Sequence, residues 1–175
     1  MDKTQLAQEI YNVSHLNGEF KLRSGLVSNE YFDKYLFESN PTLLKEIASQ
    51  LSKLIPEGTE ILAGMEMGGI PIATALSLNT GIPVVFVRKE AKSYGTCKLA
   101  EGTDIQNKNV CMIEDVVTTG GQIIQSAEDL KSVGANVKNV LCVIDRNQSG
   151  KENLLKAGLL LHSLLTMEDL LPVTK

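Results

Sequence analysis

The sequence has few residues of the kinds that cross-link a chain or build a metal centre. Its three cysteines, Cys97, Cys111 and Cys142, are an odd number without the short spacings of a disulfide framework or zinc site. The two histidines, His15 and His162, are too few and too far apart for a histidine-based metal site. This pattern favours a reducing compartment, so we expect a cytoplasmic protein in which Cys111 and Cys142 are buried as small apolar residues.

Long apolar runs and an excess of basic residues are also lacking. No stretch is long enough to span a bilayer, and the first residues lack the apolar core of a signal peptide. The formal net charge of −4 argues against a general nucleic-acid binder, although a local basic pocket can still bind a small anion. The 175 residues suit one hydrophobic core, and no repeat or linker divides them, so a single domain over residues 1–175 is expected.

Turn residues divide the chain into alternating strands and helices. Near the N-terminus we predict a helix capped by Thr4 and ending near Leu16, then two short strands over FKLRSG and EYFDKYLF. Asn40-Pro41 predicts the start of the next helix. Further strands are predicted at about 60–63, 83–87, 109–113, 137–144 and 159–164, and helices at 68–78 and 122–133, between the last two strands, and after Thr166. This order indicates an α/β fold with a mostly parallel central sheet flanked by helices, which binds ligands at the carboxyl ends of its strands.

The most informative motif is VCMIEDVVTTGGQI, residues 110–123. An apolar strand leads into the acidic residues Glu114 and Asp115, and a Thr-Thr-Gly-Gly loop then opens a helix. Backbone N–H groups at a helix N-terminus bind phosphate, and glycines let a ligand approach the backbone. The carboxylates suit a ribose diol, whose hydroxyls donate hydrogen bonds. The order of acids, threonines and glycines favours this function over a solvated turn, and it matches neither the Walker A nor the dinucleotide-binding pattern.

A basic segment, RKEAKSYGTCKLAEG at residues 88–102, follows the strand at 83–87. It carries Arg88, Lys89, Lys92 and Lys98. Segments of this length without a periodic pattern are uncommon in compact domains and often form lids. The cations of a lid can neutralise a pyrophosphate leaving group, and its closure excludes water. A solvated basic loop is the alternative, but the neighbouring phosphate motif favours a lid.

These segments resemble the type I phosphoribosyltransferases. Residues 110–123 are similar to the motif with which that class binds phosphoribosyl pyrophosphate (PRPP), and residues 88–102 look like the catalytic loop of the orotate phosphoribosyltransferases. The similarity extends from about residue 18 to 171 and implies a type I fold with a small N-terminal hood. The remaining segments are FKLRSGLVSNEYFD, which resembles the hood, AGMEMGGIPIATAL, which resembles a pyrophosphate-side turn, and DRNQSG, which resembles the segment with an orotate-binding arginine. The hood would lie mainly at 18–38, with C-terminal contributions, and the core at about 41–165.

The resemblance also implies a role for individual residues. Glu114 and Asp115 would hold the ribose hydroxyls, with Asp115 the more critical, and Lys92 would reach in from the other subunit of a homodimer, so that the subunits share the lid. The implied catalytic residues are Asp115, Lys92 and Glu114. The implied PRPP-binding residues are Arg23, Arg88, Lys89, Lys92, Tyr94, Glu114, Asp115, Val116, Val117, Thr118, Thr119, Gly120 and Gly121. The implied orotate-binding residues are Arg23, Tyr31, Phe32, Thr118 and Arg146.

The reaction implied by the resemblance transfers ribose 5-phosphate from PRPP to orotate, giving orotidine 5′-monophosphate and pyrophosphate in pyrimidine biosynthesis. Magnesium is the implied cofactor, held mainly through PRPP and water rather than by a protein site. Two positions depart from the family pattern: Tyr94 stands where many bacterial members have histidine, and Asn29 replaces a common proline.

Two alternatives are a phosphoribosyltransferase for another base and a non-catalytic PRPP-binding regulator. The hood and the lid argue against a purine base. About 16 residues precede the hood, too few for an independently stable DNA-binding domain, which argues against a regulator.

Overall fold

The computed structural model describes residues 1–22, 24–90 and 99–171. These residues form a six-stranded sheet in the order β5-β4-β3-β6-β7-β8 and a separate two-stranded sheet, β1-β2. The strands are β1 (His15–Lys21), β2 (Val27–Phe32), β3 (Ile61–Met65), β4 (Val84–Val87), β5 (Ala100–Gly102), β6 (Asn109–Val117), β7 (Asn136–Asp145) and β8 (Leu160–Thr166). The helices are α1 (Lys3–Ser14), α2 (Lys34–Glu38), α3 (Pro41–Leu51), α4 (Gly69–Thr80), α5 (Gly121–Ser132), α6 (Gln148–Lys156) and α7 (Met167–Leu170), and a 3-10 turn (Ser52–Leu54) follows α3.

The central sheet is parallel except at one edge. Strands β4, β3, β6, β7 and β8 pair in parallel, and only β5 pairs antiparallel, with β4. Every residue of β3 is buried, as expected for a strand covered by helices on both faces. The predicted fold class is therefore confirmed, whereas the edge strand β5 was not predicted. Strand β5 has only three residues, at the end of the basic segment 88–102, and these are too few to show the alternation of a strand.

The two faces of the sheet pack against different helices. Leu62 and Ile113 belong to a buried cluster with α1, α3 and α4, whereas Ala63 and Met112 belong to a second cluster with α5 and Leu154 of α6. Neighbouring residues of one strand thus pack into the clusters on opposite faces of the sheet, because successive side chains of a β-strand point to opposite faces.

The two cysteines within the described residues lie inside this packing. Cys111 and Cys142 are 1% and 0% exposed, as predicted. Burial raises the pKa of Cys111 to about 12 and that of Cys142 well above its usual value, so neither forms a reactive thiolate near neutral pH. Cys97 lies outside the described residues. Within residues 1–22, 24–90 and 99–171, no helix has the length and apolarity needed to cross a membrane.

The first helix differs from the prediction at both ends. Asp2, not Thr4, is its N-cap: the Asp2 carboxylate accepts a hydrogen bond from the Gln5 backbone N–H at 2.8 Å, and the Gln5 side chain accepts one from the Asp2 N–H at 3.0 Å. This reciprocal capping box satisfies two N–H groups that a cap at Thr4 would leave free. The helix ends at Ser14 rather than near Leu16, because the chain from His15 onward pairs with β2.

The predicted second strand, EYFDKYLF, is also wrong in its second half. Strand β2 ends at Phe32, and Asp33 caps α2, its carboxylate accepting a hydrogen bond from the Tyr35 N–H at 3.1 Å. The helical turn places Phe37 fully in the core. The segment therefore forms a helix rather than a strand, because the Asp33 side chain caps it and the helical turn buries Phe37.

The first predicted strand, FKLRSG, is displaced, because β1 spans His15–Lys21 and β2 already begins at Val27. Several other predicted boundaries agree with the structure. Asn40 caps α3 with Pro41 at its first position, and the Asn40 side chain accepts hydrogen bonds from two N–H groups of the first turn. Gly81 ends α4 in the left-handed conformation, with φ of 78°, and Thr166 caps α7. Strand β6 is longer than the predicted 109–113, because it remains paired with β7 to Val117.

Candidate active site

A cleft of about 460 Å³ opens at the carboxyl ends of β3, β4 and β6. The turn after β3 contributes Glu66 and Met67, the end of β4 contributes Arg88 and Lys89, and a side chain of α2, Lys34, completes one wall. The remaining wall is the segment from the end of β6 into α5, comprising Glu114, Val116, Val117, Thr118, Thr119, Gly120, Gly121, Gln122 and Ile123. The cleft therefore combines cations, a carboxyl group and a helix N-terminus, which suits a ligand with phosphates and hydroxyls.

The loop from Thr118 to Gly121 is held in shape by α6. Gly120 has a φ of 76°, and a Cβ there would press on Leu154 of α6. Gly150 lies directly against the carbonyl group of Thr118, with no room for a Cβ. The Asn153 side chain donates a hydrogen bond to the Thr119 carbonyl at 3.1 Å. The first N–H groups of the following helix have no intrahelical acceptor and are available to an anion.

The two acids of the motif lie in different environments. Glu114 is partly buried and lines the cleft, whereas Asp115 is fully buried. One Asp115 oxygen, Oδ1, accepts a hydrogen bond from the Val116 N–H, and the other, Oδ2, lies 2.5 Å from Lys34 Nζ. Glu114 thus forms part of the cleft wall, whereas Asp115 lies beneath that wall.

Their protonation follows from these contacts. Burial, together with the neighbouring Asp115 carboxylate, raises the pKa of Glu114 well above its usual value. Burial acts on the pKa of Asp115 in the same direction, but hydrogen bonds with Glu114, Glu38 and Lys34 outweigh it and hold that pKa below its usual range. Near neutral pH the cluster therefore places its negative charge on Asp115, opposite the Lys34 ammonium.

The glycine-rich turn after β3 packs against this acid. A Cβ on Gly68 would overlap Asp115 Oδ2, and a Cβ on Gly69 would overlap the Ile113 carbonyl oxygen. Nearby, the Glu66 carboxylate accepts a hydrogen bond from the Lys89 backbone N–H at 3.0 Å, and a cis peptide bond joins Glu66 to Met67. The glycines allow the turn to close over the acid, and Glu66 ties it to the basic end of β4.

A second cavity, of about 280 Å³, lies under the β1-β2 hairpin. Tyr31 and Phe32 of the hairpin and Arg146, which follows β7, line it together. The Arg146 backbone N–H donates a hydrogen bond to the Val117 carbonyl at 2.9 Å, so the residue is tied to the end of β6. The other lining residues are Tyr11, His15, Leu22, Ser28, Glu30, Met167 and Leu171.

The structure divides the residues singled out in the sequence into three groups. Arg88, Lys89, Glu114 and the loop residues Val116 to Gly121 line the cleft, with Asp115 beneath them. Tyr31, Phe32 and Arg146 share the hairpin cavity, whereas Thr118, assigned to orotate as well as PRPP, lines the cleft and not that cavity. Arg23, Lys92 and Tyr94 lie outside the described residues.

Sequence reasoning missed Lys34 and Glu38, which both contact Asp115 from α2. Asp33 as an N-cap was the signal that would have predicted α2, and with it these two side chains one helical turn apart. Reading the segment as a strand hid that relationship.

The arrangement is that of a phosphoribosyl transferase domain, and residues 37–157 match the family of that description. A relative from Nocardioides sp. named orotate phosphoribosyltransferase is 49% identical over 165 residues, covering 94% of this chain and 92% of the relative. The chain belongs to the orotate phosphoribosyltransferase family.

Solved structures of that family have the same fold. The orotate phosphoribosyltransferase of Mycobacterium tuberculosis superposes with a TM-score of 0.87 at 28% identity, over 97% of this chain and 99% of the other. Its complex with PRPP superposes with a TM-score of 0.82 at 26% identity, over 97% and 99% of the two chains.

Proposed function

We propose that this chain transfers ribose 5-phosphate from PRPP to orotate, giving orotidine 5′-monophosphate and pyrophosphate in pyrimidine biosynthesis. One contact carries the proposal: the Arg146 N–H donates to the Val117 carbonyl at 2.9 Å. This bond joins the cavity suited to a carboxylated ring to the loop suited to a 5-phosphate. The distance between the two substrates' anchors is thereby set by a backbone hydrogen bond at the ends of the paired strands β6 and β7.

PRPP would occupy the cleft in three parts. Its 5-phosphate binds the loop Thr118–Gly121 and the N–H groups that open α5. Its ribose hydroxyls donate hydrogen bonds to Glu114 and Asp115. Its pyrophosphate meets Arg88 and Lys89, which line the same cleft, and the family resemblance adds Arg23, Lys92 and Tyr94.

Access of the ribose to Asp115 requires a movement of Lys34. The Asp115 side chain has no exposed surface, and Lys34 Nζ lies 2.5 Å from its Oδ2. The Lys34 side chain is about one-third exposed, so its ammonium can turn into the cleft when a ribose hydroxyl takes its place. There it would join the cations that surround the phosphates.

Orotate would occupy the hairpin cavity. A volume of about 280 Å³ accommodates a single six-membered ring with its carboxylate. The Tyr31 and Phe32 side chains supply apolar surface for the ring, and the Arg146 guanidinium pairs with the carboxylate in a forked geometry. Phe20 stacks on Tyr31, with the ring centroids 5.5 Å apart, and supports it from the neighbouring strand.

The chemistry needs positioning and charge rather than an acid or base from the chain. As pyrophosphate leaves C1 of the ribose, positive charge develops on the sugar and negative charge on the leaving oxygens. In this arrangement the Asp115 carboxylate would face the sugar, and Arg88 and Lys89, which line the cleft, would face the leaving group. A ring nitrogen of orotate attacks the opposite face of C1, held in line by Arg146 and the hairpin. The N–C bond forms as the C–O bond to pyrophosphate breaks, and the proton of the nitrogen passes to water or to the released pyrophosphate.

Magnesium is the proposed cofactor, held through PRPP and water. Within the described residues, no group of three or more Asp, Glu, His or Cys side chains is arranged to hold a metal ion. An ion that arrives on the oxygens of its substrate fits such a cleft, which supplies hydroxyl and carbonyl oxygens rather than soft ligands. When bound, the ion would neutralise charge on the departing pyrophosphate.

We extend the proposal to the assembly and the compartment. The protein would act as a homodimer in the cytoplasm, with Lys92 of each subunit serving the site of its partner. The chain would be one domain over residues 1–175, with a hood mainly at 18–38 and a core at about 41–165. The support for these points is the family resemblance, and for the compartment also the use of cysteine.

Orotate consumption, followed by ultraviolet absorbance with PRPP and magnesium, tests the proposal. Uracil, hypoxanthine and adenine are run beside orotate under the same conditions. We expect rapid turnover of orotate and slow or no turnover of the others. Turnover of a purine in preference to orotate would identify an enzyme for another base. PRPP binding without turnover of any base would identify a regulator, and either result overturns the proposal.

A further inference from the structure

The side chain of Glu38 is buried without a conventional partner. It is 5% exposed, and among the described residues its Oε1 has no hydrogen-bond donor. The same oxygen faces Gly68, on the side where a Cβ of Gly68 would also meet Asp115 Oδ2. Two carboxyl oxygens therefore approach one another in a space that the absence of a side chain on Gly68 leaves open.

Two adjacent buried carboxyl groups cannot both be ionised at low cost, so one must carry a proton. Lys34 Nζ is 2.5 Å from Asp115 Oδ2, which favours the charge on Asp115. A proton on Glu38 gives its buried oxygen a hydrogen bond and gives the Asp115 carboxylate a third donor, beside the Val116 N–H and Lys34. The charged groups facing Glu38 are Asp33 and Lys34 on its own segment and Asp115 on β6.

We propose that Glu38 is a neutral carboxylic acid whose O–H donates to Asp115, and that it acts as a positioning residue for PRPP. The proposal rests on the function proposed above. Glu38 approaches Asp115 from the core, whereas Lys34, one turn earlier on α2, approaches from the cleft. When Lys34 moves aside for the ribose, Glu38 stays, so it holds the carboxylate in place through the reaction.

The electrostatics agree with this geometry. Burial, and next the contact with Asp115, raise the pKa of Glu38 to about 9. The group is therefore neutral at neutral pH and adds no second negative charge beside Asp115. If it were ionised, its charge would repel Asp115 and oppose the approach of the anionic PRPP.

Two substitutions separate a neutral donor from a charged or merely packed side chain. Glu38→Gln keeps the shape and a donor without charge, whereas Glu38→Leu keeps the volume without a donor. We expect Glu38→Gln to retain kcat/KM for PRPP to within about threefold, and Glu38→Leu to lower it about tenfold or more. The KM for orotate should change little in both, because Arg146 and the hairpin are untouched.

Glu46 provides the matched control. It lies on α3, pairs with the N-terminal amine at 3.3 Å and is remote from the cleft lining. Glu46→Gln and Glu46→Leu should leave kcat/KM for PRPP unchanged. Wild-type activity in Glu38→Leu would overturn the proposal, and so would a Glu38→Gln enzyme as slow as Glu38→Leu.

A pH profile decides the matter if Glu38→Leu fails to fold. As the pH rises through about 9, Glu38 ionises, so kcat/KM of the wild type for PRPP should fall relative to that of Glu38→Gln. Taking the ratio of the two enzymes cancels titration of the substrates. A ratio that stays constant across this range overturns the proposal. Failure of the wild type to use orotate would instead overturn the proposed function, and the two failures are therefore distinguishable.

Discussion

Gly150, in the first turn of α6, lies so close to the carbonyl oxygen of Thr118 that no side chain fits between them. The helix thus packs backbone to backbone against the loop proposed to bind the 5-phosphate. Its neighbour Asn153 adds a hydrogen bond to the Thr119 carbonyl at 3.1 Å. The shape of the loop depends on a residue well separated from it in sequence.

Gly150→Ala should therefore push the loop away from α6. The added Cβ meets backbone, which cannot rotate aside as a flexible side chain can. We expect kcat/KM for PRPP to fall about tenfold or more, with a smaller change in KM for orotate. Steady-state kinetics measure this, with Gln148→Ala, an exposed change in the same turn, as the control. Unchanged kinetics in a folded Gly150→Ala protein would mean that the loop tolerates the displacement.

Asp115→Asn should abolish most turnover while the protein remains folded. The amide oxygen can still accept from the Val116 N–H, but the negative charge opposite Lys34 and the developing sugar cation is lost. Lys34 is about one-third exposed and can reach water, which limits the cost to stability. We expect kcat to fall about a hundredfold or more.

The control for this substitution is Glu60→Gln. Glu60 pairs with Lys108 at 3.0 Å beside the amino ends of β3 and β6, so it tests loss of an ion pair away from the cleft. Its kcat should match that of the wild type. Near-wild-type turnover in Asp115→Asn would exclude the proposed role of that carboxylate.

Arg146→Ala should reduce the preference for orotate over uracil. Uracil lacks the carboxylate and leaves the guanidinium unpaired, so the wild type should discriminate strongly between the two bases. Removal of the guanidinium should raise KM for orotate about tenfold or more, with little effect on uracil. Competition assays measure the ratio directly. An undiminished preference would assign recognition of the carboxylate to another residue.

The stability of the protein should depend on pH through Glu38. The pKa of this carboxyl is raised from 4.5 to about 9 by burial and by Asp115. Between these values the folded protein holds a proton that the unfolded chain has lost, so the contribution of Glu38 to stability is present below 4.5 and lost as the pH rises through 9. Glu38→Gln lacks this titration.

Thermal unfolding at several pH values tests this sign. The Tm of Glu38→Gln minus that of the wild type should increase from about pH 5 to about pH 9. A free-energy difference of about 1 kcal/mol corresponds to roughly 2–4 °C for a chain of this size. A difference in Tm that is constant over this range would show that Glu38 titrates as an ordinary carboxyl.

The proposed sharing of Lys92 between subunits can be tested with two inactive variants. At orotate concentrations well below the raised KM of Arg146→Ala, Lys92→Ala and Arg146→Ala should each have little activity alone, since each removes one part of every site. In a mixed dimer, the site on the Lys92→Ala subunit has its own Arg146 and receives Lys92 from the partner subunit. Random pairing should restore roughly a quarter of wild-type activity, because half of the dimers are mixed and half of their sites are complete. No recovery, despite demonstrated exchange of subunits, would place both residues in the same subunit's site.

The local sequence was sufficient to predict most helices and strands of the central sheet and the loop after β6. Asn40-Pro41, Gly81 and Thr166 determine helix ends through backbone conformation and capping, which act within a few residues. The apolar run before Glu114 and the Thr-Thr-Gly-Gly loop after it are equally local. Because parallel strands present their carboxyl ends at one edge, the chain order alone also predicted on which side of the sheet the ligand site would lie.

Tertiary structure decided which side chains surround Asp115. Lys34 and Glu38 come from a five-residue helix whose existence depends on the Asp33 cap and on the burial of Phe37. Their meeting with Asp115, nearly 80 positions later, depends on how α2 packs against β6 and on the missing side chain of Gly68. The protonation of these carboxyl groups follows from burial and mutual distance. Burial and mutual distance are properties of the folded chain, because a local sequence pattern does not indicate which distant charged residues will be buried next to one another.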